Sequence, residues 1–165
     1  MEGGKAAVFL DRDGVINRER GEHTWRMSDF EILPDVAAAL KEMHAAGRLA
    51  IVISNQSGIG LGLYTVADVE RLHTYLHDHL ARQGAALDAV YYCPHHPTQG
   101  RCLCRKPGGL LLERAIARFG IDPARSVMIG DRERDIEAAA CVGVRGVLVE
   151  ANTSLLQVWR EKGGA

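Results

Sequence analysis

Short apolar runs rich in β-branched residues alternate along this chain with longer stretches of helical period, and that rhythm constrains the fold more than any other feature. The runs are 6–10, 49–54, 89–92, 126–129 and 146–149; the helical-period stretches are 34–46, 66–83, 108–119 and 133–140. Alternation of this kind predicts an α/β fold, a mostly parallel sheet with helices on both faces, whose ligands collect outside the carboxyl ends of the strands. A length of 165 residues, 47% of them hydrophobic and 25% charged, suits one domain with its own core, at about residues 6–150. Gly47 and Gly120 stand where helix C-caps are expected, Asp122-Pro123 opens the next connection, and no repeat or linker interrupts the pattern. The tail 161–165 is expected to fray.

Charge narrows the partners. A formal net charge of −1 and the lack of a Lys/Arg run argue against a nucleic acid or an anionic membrane, so any bound anion must be held locally. The stretch Ala6–Leu10 is too short for a signal peptide's apolar region, and no segment reaches the roughly 18 apolar residues of a membrane span. A cytoplasmic address is expected. Of four cysteines, Cys93, Cys102 and Cys104 crowd together, which in a reducing compartment favours metal binding over disulfides. Cys141, alone in an alanine-rich helical stretch, reads as a buried small side chain.

Polar residues cluster where strands end. Asp11 and Asp13 follow the first strand with Gly14 behind them, Ser54-Asn55-Gln56-Ser57-Gly58 follows the second, and Gly130-Asp131 follows the fourth. Two carboxylates so placed can divide phosphoryl-transfer work: one attacks phosphorus, the other protonates the leaving oxygen and later activates water. A DxDG surface turn or a calcium loop is the alternative, but Arg12, Val15 and Ile16 supply none of the further oxygen ligands calcium needs. Ser54 offers a hydroxyl donor to phosphate, though a polar capping loop would look the same. Lys106 supplies a fixed positive charge, or is simply solvated. Asp131 and Asp135 lie four residues apart on one side of a helix start, where Asp131 can join Asp11 in a magnesium site. Asp135 is either a further ligand or a helix N-terminal charge.

The segments DRDGVIN, SNQSG, CRKP and GDRERD, in this order and strand context, resemble the haloacid dehalogenase (HAD) superfamily of phosphatases over about residues 6–150. The resemblance implies a Rossmann-like fold and a magnesium-dependent phosphatase acting on a small phosphorylated metabolite. Asp11 would be the nucleophile, Asp13 the general acid/base whose backbone carbonyl also binds the metal, Ser54 and Lys106 the phosphate-stabilising pair, and Asp131 the acidic metal ligand. No large insert follows Asn17 or precedes Ala89, so no mobile cap is expected.

The spacing Cys93, His95, Cys102, Cys104 offers three thiolates and an imidazole, a closed tetrahedral set that fits a structural zinc ion. This clip, residues 93–106, would fix Arg105 and Lys106 directly after its last ligand. His96 competes with His95 for the site. Zinc beside CRKP narrows the resemblance to the small capless branch that includes heptose-bisphosphate and histidinol-phosphate phosphatases, the sequence lying nearer the former. Substrate contacts would carry over to Glu19, Arg20, Gly21, Glu22, Asn55, Gln56, Ser57, Arg105 and Arg132, with Arg105 on the sugar end. A general sugar-phosphate or nucleotide phosphatase, and a silent zinc-containing binding module, are the rival readings; a monomer is expected. His73 and His77 read as parts of an amphipathic helix, Trp159 as an anchor for the last helix, and His23 and Trp25 either touch substrate or pack.

Overall fold

The structure, a computed structural model, describes residues 3–164. Its elements run β1 (Ala6–Leu10), α1 (Val36–Ala45), β2 (Arg48–Asn55), α2 (Val66–Ala81), β3 (Ala89–Cys93), α3 (Leu110–Phe119), β4 (Val127–Gly130), α4 (Glu133–Cys141), β5 (Arg145–Leu148) and the short α5 (Leu155–Val158). All strand pairs are parallel, in the order β3-β2-β1-β4-β5.

β1 is buried along its whole length, which is why it reads as an unbroken apolar run rather than an alternating one. Its side chains still alternate between faces. Val8 and Leu10 join the core under α1, α2 and α5, whereas Ala7 and Phe9 join the core under α3 and α4. The chain moves outward from β1 through β2 to β3, then returns to place β4 on the other side of β1. The order therefore reverses between β1 and β4, and the crevice beyond their carboxyl ends is the switch point at which such sheets bind ligands.

Local signals explain the helix limits. Thr65 Oγ1 accepts from Asp68 N at 3.2 Å while Asp68 Oδ2 accepts from Thr65 N at 2.9 Å, a reciprocal box that starts α2. Gly120 caps α3. Two expectations fail. Cys141 is exposed: it ends α4 on the outward side, beyond the buried Ala138 and Ala139, with Sγ near Pro107 O. The tail is also ordered further than expected, since a wide helical turn spans Trp159–Gly163. Buried Trp159 packs into the α1-side core and lies under the Arg48 guanidinium, 5.5 Å from its ring centroid, and Arg160 pairs with Glu42. Residue 165 lies outside the described residues.

Candidate active site

Three carboxylates meet at the switch point. Asp11 ends β1, Asp131 follows β4, and Asp135 sits in the first turn of α4; one oxygen from each lies within 4.8 Å of the others. Gly14 makes this approach possible. Its φ is +90°, and a Cβ there would come 2.5 Å from Asp131 Oδ2.

Lys106 enters from the loop after β3 and is fully buried. Its Nζ donates to Asp11 Oδ1 at 2.9 Å and to Ile53 O at 2.6 Å, and pairs with Asp135 Oδ1 at 2.6 Å. Asn55 holds the lysine's backbone at two points, Lys106 N donating to Oδ1 at 3.0 Å and Nδ2 donating to Lys106 O at 3.1 Å. Burial alone would lower the Lys106 pKa, but Asp11 and Asp135 raise it, so the ammonium stays charged. Asp135 is more than a helix-end charge, because it binds both Lys106 and, through Oδ2, the backbone N of Arg132.

One ammonium does not balance three carboxylates. Burial, then the hydrogen bond and charge of Asp11, then Asp135 push Asp131 up to about 7. Burial and Asp11 likewise raise Asp135 against the pull of Lys106. Asp131 Oδ1 is buried without a partner. A divalent cation with a preference for oxygen ligands would satisfy that atom and remove the repulsion, so these residues fit magnesium.

Asp13 is a carboxylate of another kind. Its Oδ1 accepts from Arg12 Nη2 and from Asn17 Nδ2, each at 2.9 Å, and its Oδ2 accepts from Gln56 Nε2 at 3.2 Å. Burial would raise its pKa, yet Arg12 and the donors of Asn17 and Gln56 together lower it. Arg12 is itself fully buried, donating to Thr24 O at 2.7 Å, with Nη1 3.3 Å from His73 Nε2. Burial and the Arg12 charge hold His73 down to about 3. The ring is therefore neutral, and its Nε2 is the acceptor for Arg12. Sequence reasoning missed this support; the available signal was that His73 follows Leu72 on the buried stripe of α2.

The crevice over these groups is a cavity of about 240 Å³. Glu19, Gly21, Glu22, Asn55, Gln56, Ser57 and Arg132 line it. The loop carrying Glu19 is pinned by Asn152, whose side chain accepts from Glu19 N at 2.7 Å and donates to Glu19 O at 3.1 Å. Two expected contacts stand elsewhere. Arg20 turns away to pair with Glu22 and Asp29, and Arg105 lines a separate groove between the zinc-type loop and the start of α3. Both are drawn by local partners or backbone direction that motif position does not reveal. Ser54 is buried at the base of the site, its Oγ accepting from Gln56 Nε2 at 2.8 Å. His23 and Arg134 line the crevice, and Arg134 was not anticipated.

The cysteine cluster forms as the spacing implied. Cys93, His95, Cys102 and Cys104 place their Sγ and Nδ1 atoms 3.0–3.6 Å apart along the contacting pairs, and the thiols are free. Zn–S bonds of about 2.3 Å imply a tetrahedral edge of about 3.8 Å, so the set is close to zinc dimensions. Burial and neighbouring thiols push Cys93 up to about 12, a cost that a bound cation would relieve. His96 is not part of the cluster; its Nδ1 accepts from Thr98 N.

Comparison with known proteins agrees with this geometry. The HAD-hydrolase-like family model matches residues 103–157. A D-glycero-beta-D-manno-heptose-1,7-bisphosphate 7-phosphatase of Haemophilus ducreyi is 39% identical over 148 residues, 86% of this chain and 81% of the relative. The chain belongs to the heptose-bisphosphate phosphatase family of HAD hydrolases. It is accordingly a HAD-type phosphatase. Within the family, a D-glycero-alpha-D-manno-heptose-1,7-bisphosphate 7-phosphatase of Mycobacterium bovis is 42% identical over 134 residues, 80% of this chain and 70% of the relative. A D,D-heptose 1,7-bisphosphate phosphatase from B. bronchiseptica, solved with magnesium and phosphate, matches at a TM-score of 0.83 and 31% identity, over 97% of this chain and 88% of that one. HAD phosphatases use magnesium, and the Cys₃His cluster is compatible with zinc. Among the described residues no helix is long and apolar enough to cross a membrane.

Proposed function

We propose that this enzyme removes the 7-phosphate of D-glycero-D-manno-heptose 1,7-bisphosphate through an aspartyl-phosphate on Asp11. The observation that carries the reading is the meeting of Asp11, Asp131, Asp135 and Lys106 at the switch point, in a chain about 40% identical to enzymes of that name.

Asp11 Oδ1 is held by Arg12 N and Lys106 Nζ, each at 2.9 Å, which leaves Oδ2 for attack on phosphorus. As the new P–O bond forms, the ester P–O bond breaks and Asp13 gives its proton to the leaving oxygen. Asp13 is ionised in the free enzyme; the incoming phosphate dianion raises its proton affinity, so it takes up its proton with the substrate. In the second half, Asp13 removes a proton from the water that attacks the acyl-phosphate, regenerating Asp11. Lys106 and the Ser54 hydroxyl stabilise the equatorial oxygens throughout. Asp11, Asp131 and the Asp13 carbonyl would hold magnesium, with Asp135 steering Lys106. When bound, that ion offsets the repulsion between an anionic nucleophile and an anionic substrate.

Residues 93–106 form a structural zinc clip that fixes the Lys106 loop, and the chain works as a cytoplasmic monomer. Cysteines grouped at metal-ligand spacing rather than in disulfides fit a reducing compartment. Glu19, Glu22, Ser57, Arg132 and Arg134 face the sugar. The test compares kcat/KM for both anomers of heptose 1,7-bisphosphate, histidinol phosphate, sugar monophosphates and nucleotides, with magnesium present. A preference above about a hundredfold for the heptose, or ~2.7 kcal/mol, is expected. A flat profile, or a preference for histidinol phosphate, would overturn the substrate assignment while leaving the Asp11 chemistry standing.

A further inference from the structure

Gln56 occupies a position that its motif does not explain. It is almost wholly buried, and its Nε2 donates to both Ser54 Oγ (2.8 Å) and Asp13 Oδ2 (3.2 Å), while its Oε1 accepts from Tyr64 Oη at 2.9 Å. An amide has nearly the same shape either way round, so packing does not choose its orientation; its partners do. Asp13, already accepting from Arg12 and Asn17, can only accept again. Nε2 must therefore face Asp13, Oε1 must face Tyr64, and the phenol must be the donor. Both hydrogens of the amide are then committed, one to Asp13 and one to Ser54. Because Ser54 Oγ receives that hydrogen bond, its own proton is available for another acceptor.

We propose that Tyr64 is a positioning residue: its hydroxyl fixes the Gln56 amide so that the Ser54 proton is directed to the transferring phosphoryl group and Asp13 is held in its working rotamer. The inference deepens the phosphatase reading above and rests on it. The phenol is well placed for the task. It is 4% exposed, its ring stacks on Trp25 with centroids 5.9 Å apart and planes 16° apart, and it lies so close to Gly58 that any Cβ there would collide with it. The rings of Trp25 and His23 both adjoin Tyr64. Gln56 is fixed at its other end as well, its backbone N donating to Cys93 O at 2.8 Å.

Tyr64→Phe keeps the ring and its stacking and deletes only the donor. The experiment measures kcat and KM for wild type, Tyr64→Phe, Gln56→Ala and the double variant, with heptose 1,7-bisphosphate and with p-nitrophenyl phosphate, and Asp11→Asn in parallel. Loss of one such hydrogen bond is expected to lower kcat about five- to tenfold in Tyr64→Phe, with KM changing less than about twofold. Gln56→Ala falls further, and the double variant matches Gln56→Ala, because Tyr64 acts only through the amide. Gln56→Glu, which can accept from Tyr64 but donate to neither partner, behaves like Gln56→Ala. Wild-type kcat in Tyr64→Phe, or a loss that multiplies onto that of Gln56→Ala, overturns the relay. If Asp11→Asn is dead while Tyr64→Phe is fully active, the relay alone fails; if Asp11→Asn is active, the aspartyl-phosphate reading fails and the relay with it.

Discussion

Replacing Lys106 by Met removes the charge at the base of the site while keeping most of the side chain's volume. The ammonium is the shared partner of Asp11 and Asp135, with Asp131 close by and the lysine 1% exposed. Removing one member of a buried ion pair costs about 3–5 kcal/mol, because the remaining charge is left uncompensated. For a domain of this size ~1 kcal/mol moves Tm by roughly 2–4 °C, so a fall of roughly 6–20 °C is expected without metal. Burial opposes the Lys106 charge but Asp11 and Asp135 win, raising its pKa above the ordinary lysine value. The wild-type contribution is therefore present below that ordinary value and lost only as pH rises through the raised one. Thermal unfolding near pH 7.5 in a chelator, then with magnesium, is the assay. Magnesium should recover part of the loss by neutralising the same carboxylates, whereas kcat should stay about 10²–10³-fold down, the usual cost of removing a preorganised charge from a transition state. A variant with wild-type Tm in chelator would refute the view that Lys106 balances this cluster.

Two further outcomes concern the metals. Asp131 is pushed up to about 7 by burial, Asp11 and Asp135, so its favourable contribution in the metal-free protein is present below the ordinary aspartate range and lost as pH rises through about 7. Magnesium should therefore raise Tm more at about pH 8 than at about pH 5.5, and equal shifts in calorimetry would contradict the carboxylate cluster as its site. Cobalt substituted into the cysteine cluster should show the intense absorption of tetrahedral thiolate coordination, reduced in Cys104→Ser with a lower Tm; a chain that takes up no metal there would exclude the clip.

The sheet was legible because each strand is a short apolar run ending in polar residues, and β1 and β4 needed only their aspartates to mark the switch point. The cysteine cluster was legible for a similar reason, since its four residues lie close together in sequence, from the end of β3 into the loop that follows it. What stayed hidden depends on contacts between distant segments. Arg12 reads as a spacer between two aspartates, and only the packing of α2, 61 residues away, shows it buried against His73. Tyr64 and Asn152 carry no motif, yet one orients Gln56 and the other pins the Glu19 loop from 133 residues away. The direction of Arg105 and the exposure of Cys141 depend on how a loop and a helix end leave the core, which periodicity does not specify.

The central claim is that Asp11 is the nucleophile, and turnover by Asp11→Asn tests it most directly. Removing one of three crowded carboxylates should leave the fold intact by circular dichroism and thermal unfolding, while phosphate release under magnesium falls by at least about 10⁴-fold, as expected when a covalent step is lost. A folded Asp11→Asn protein that retains turnover within about tenfold of wild type would contradict the aspartyl-phosphate account.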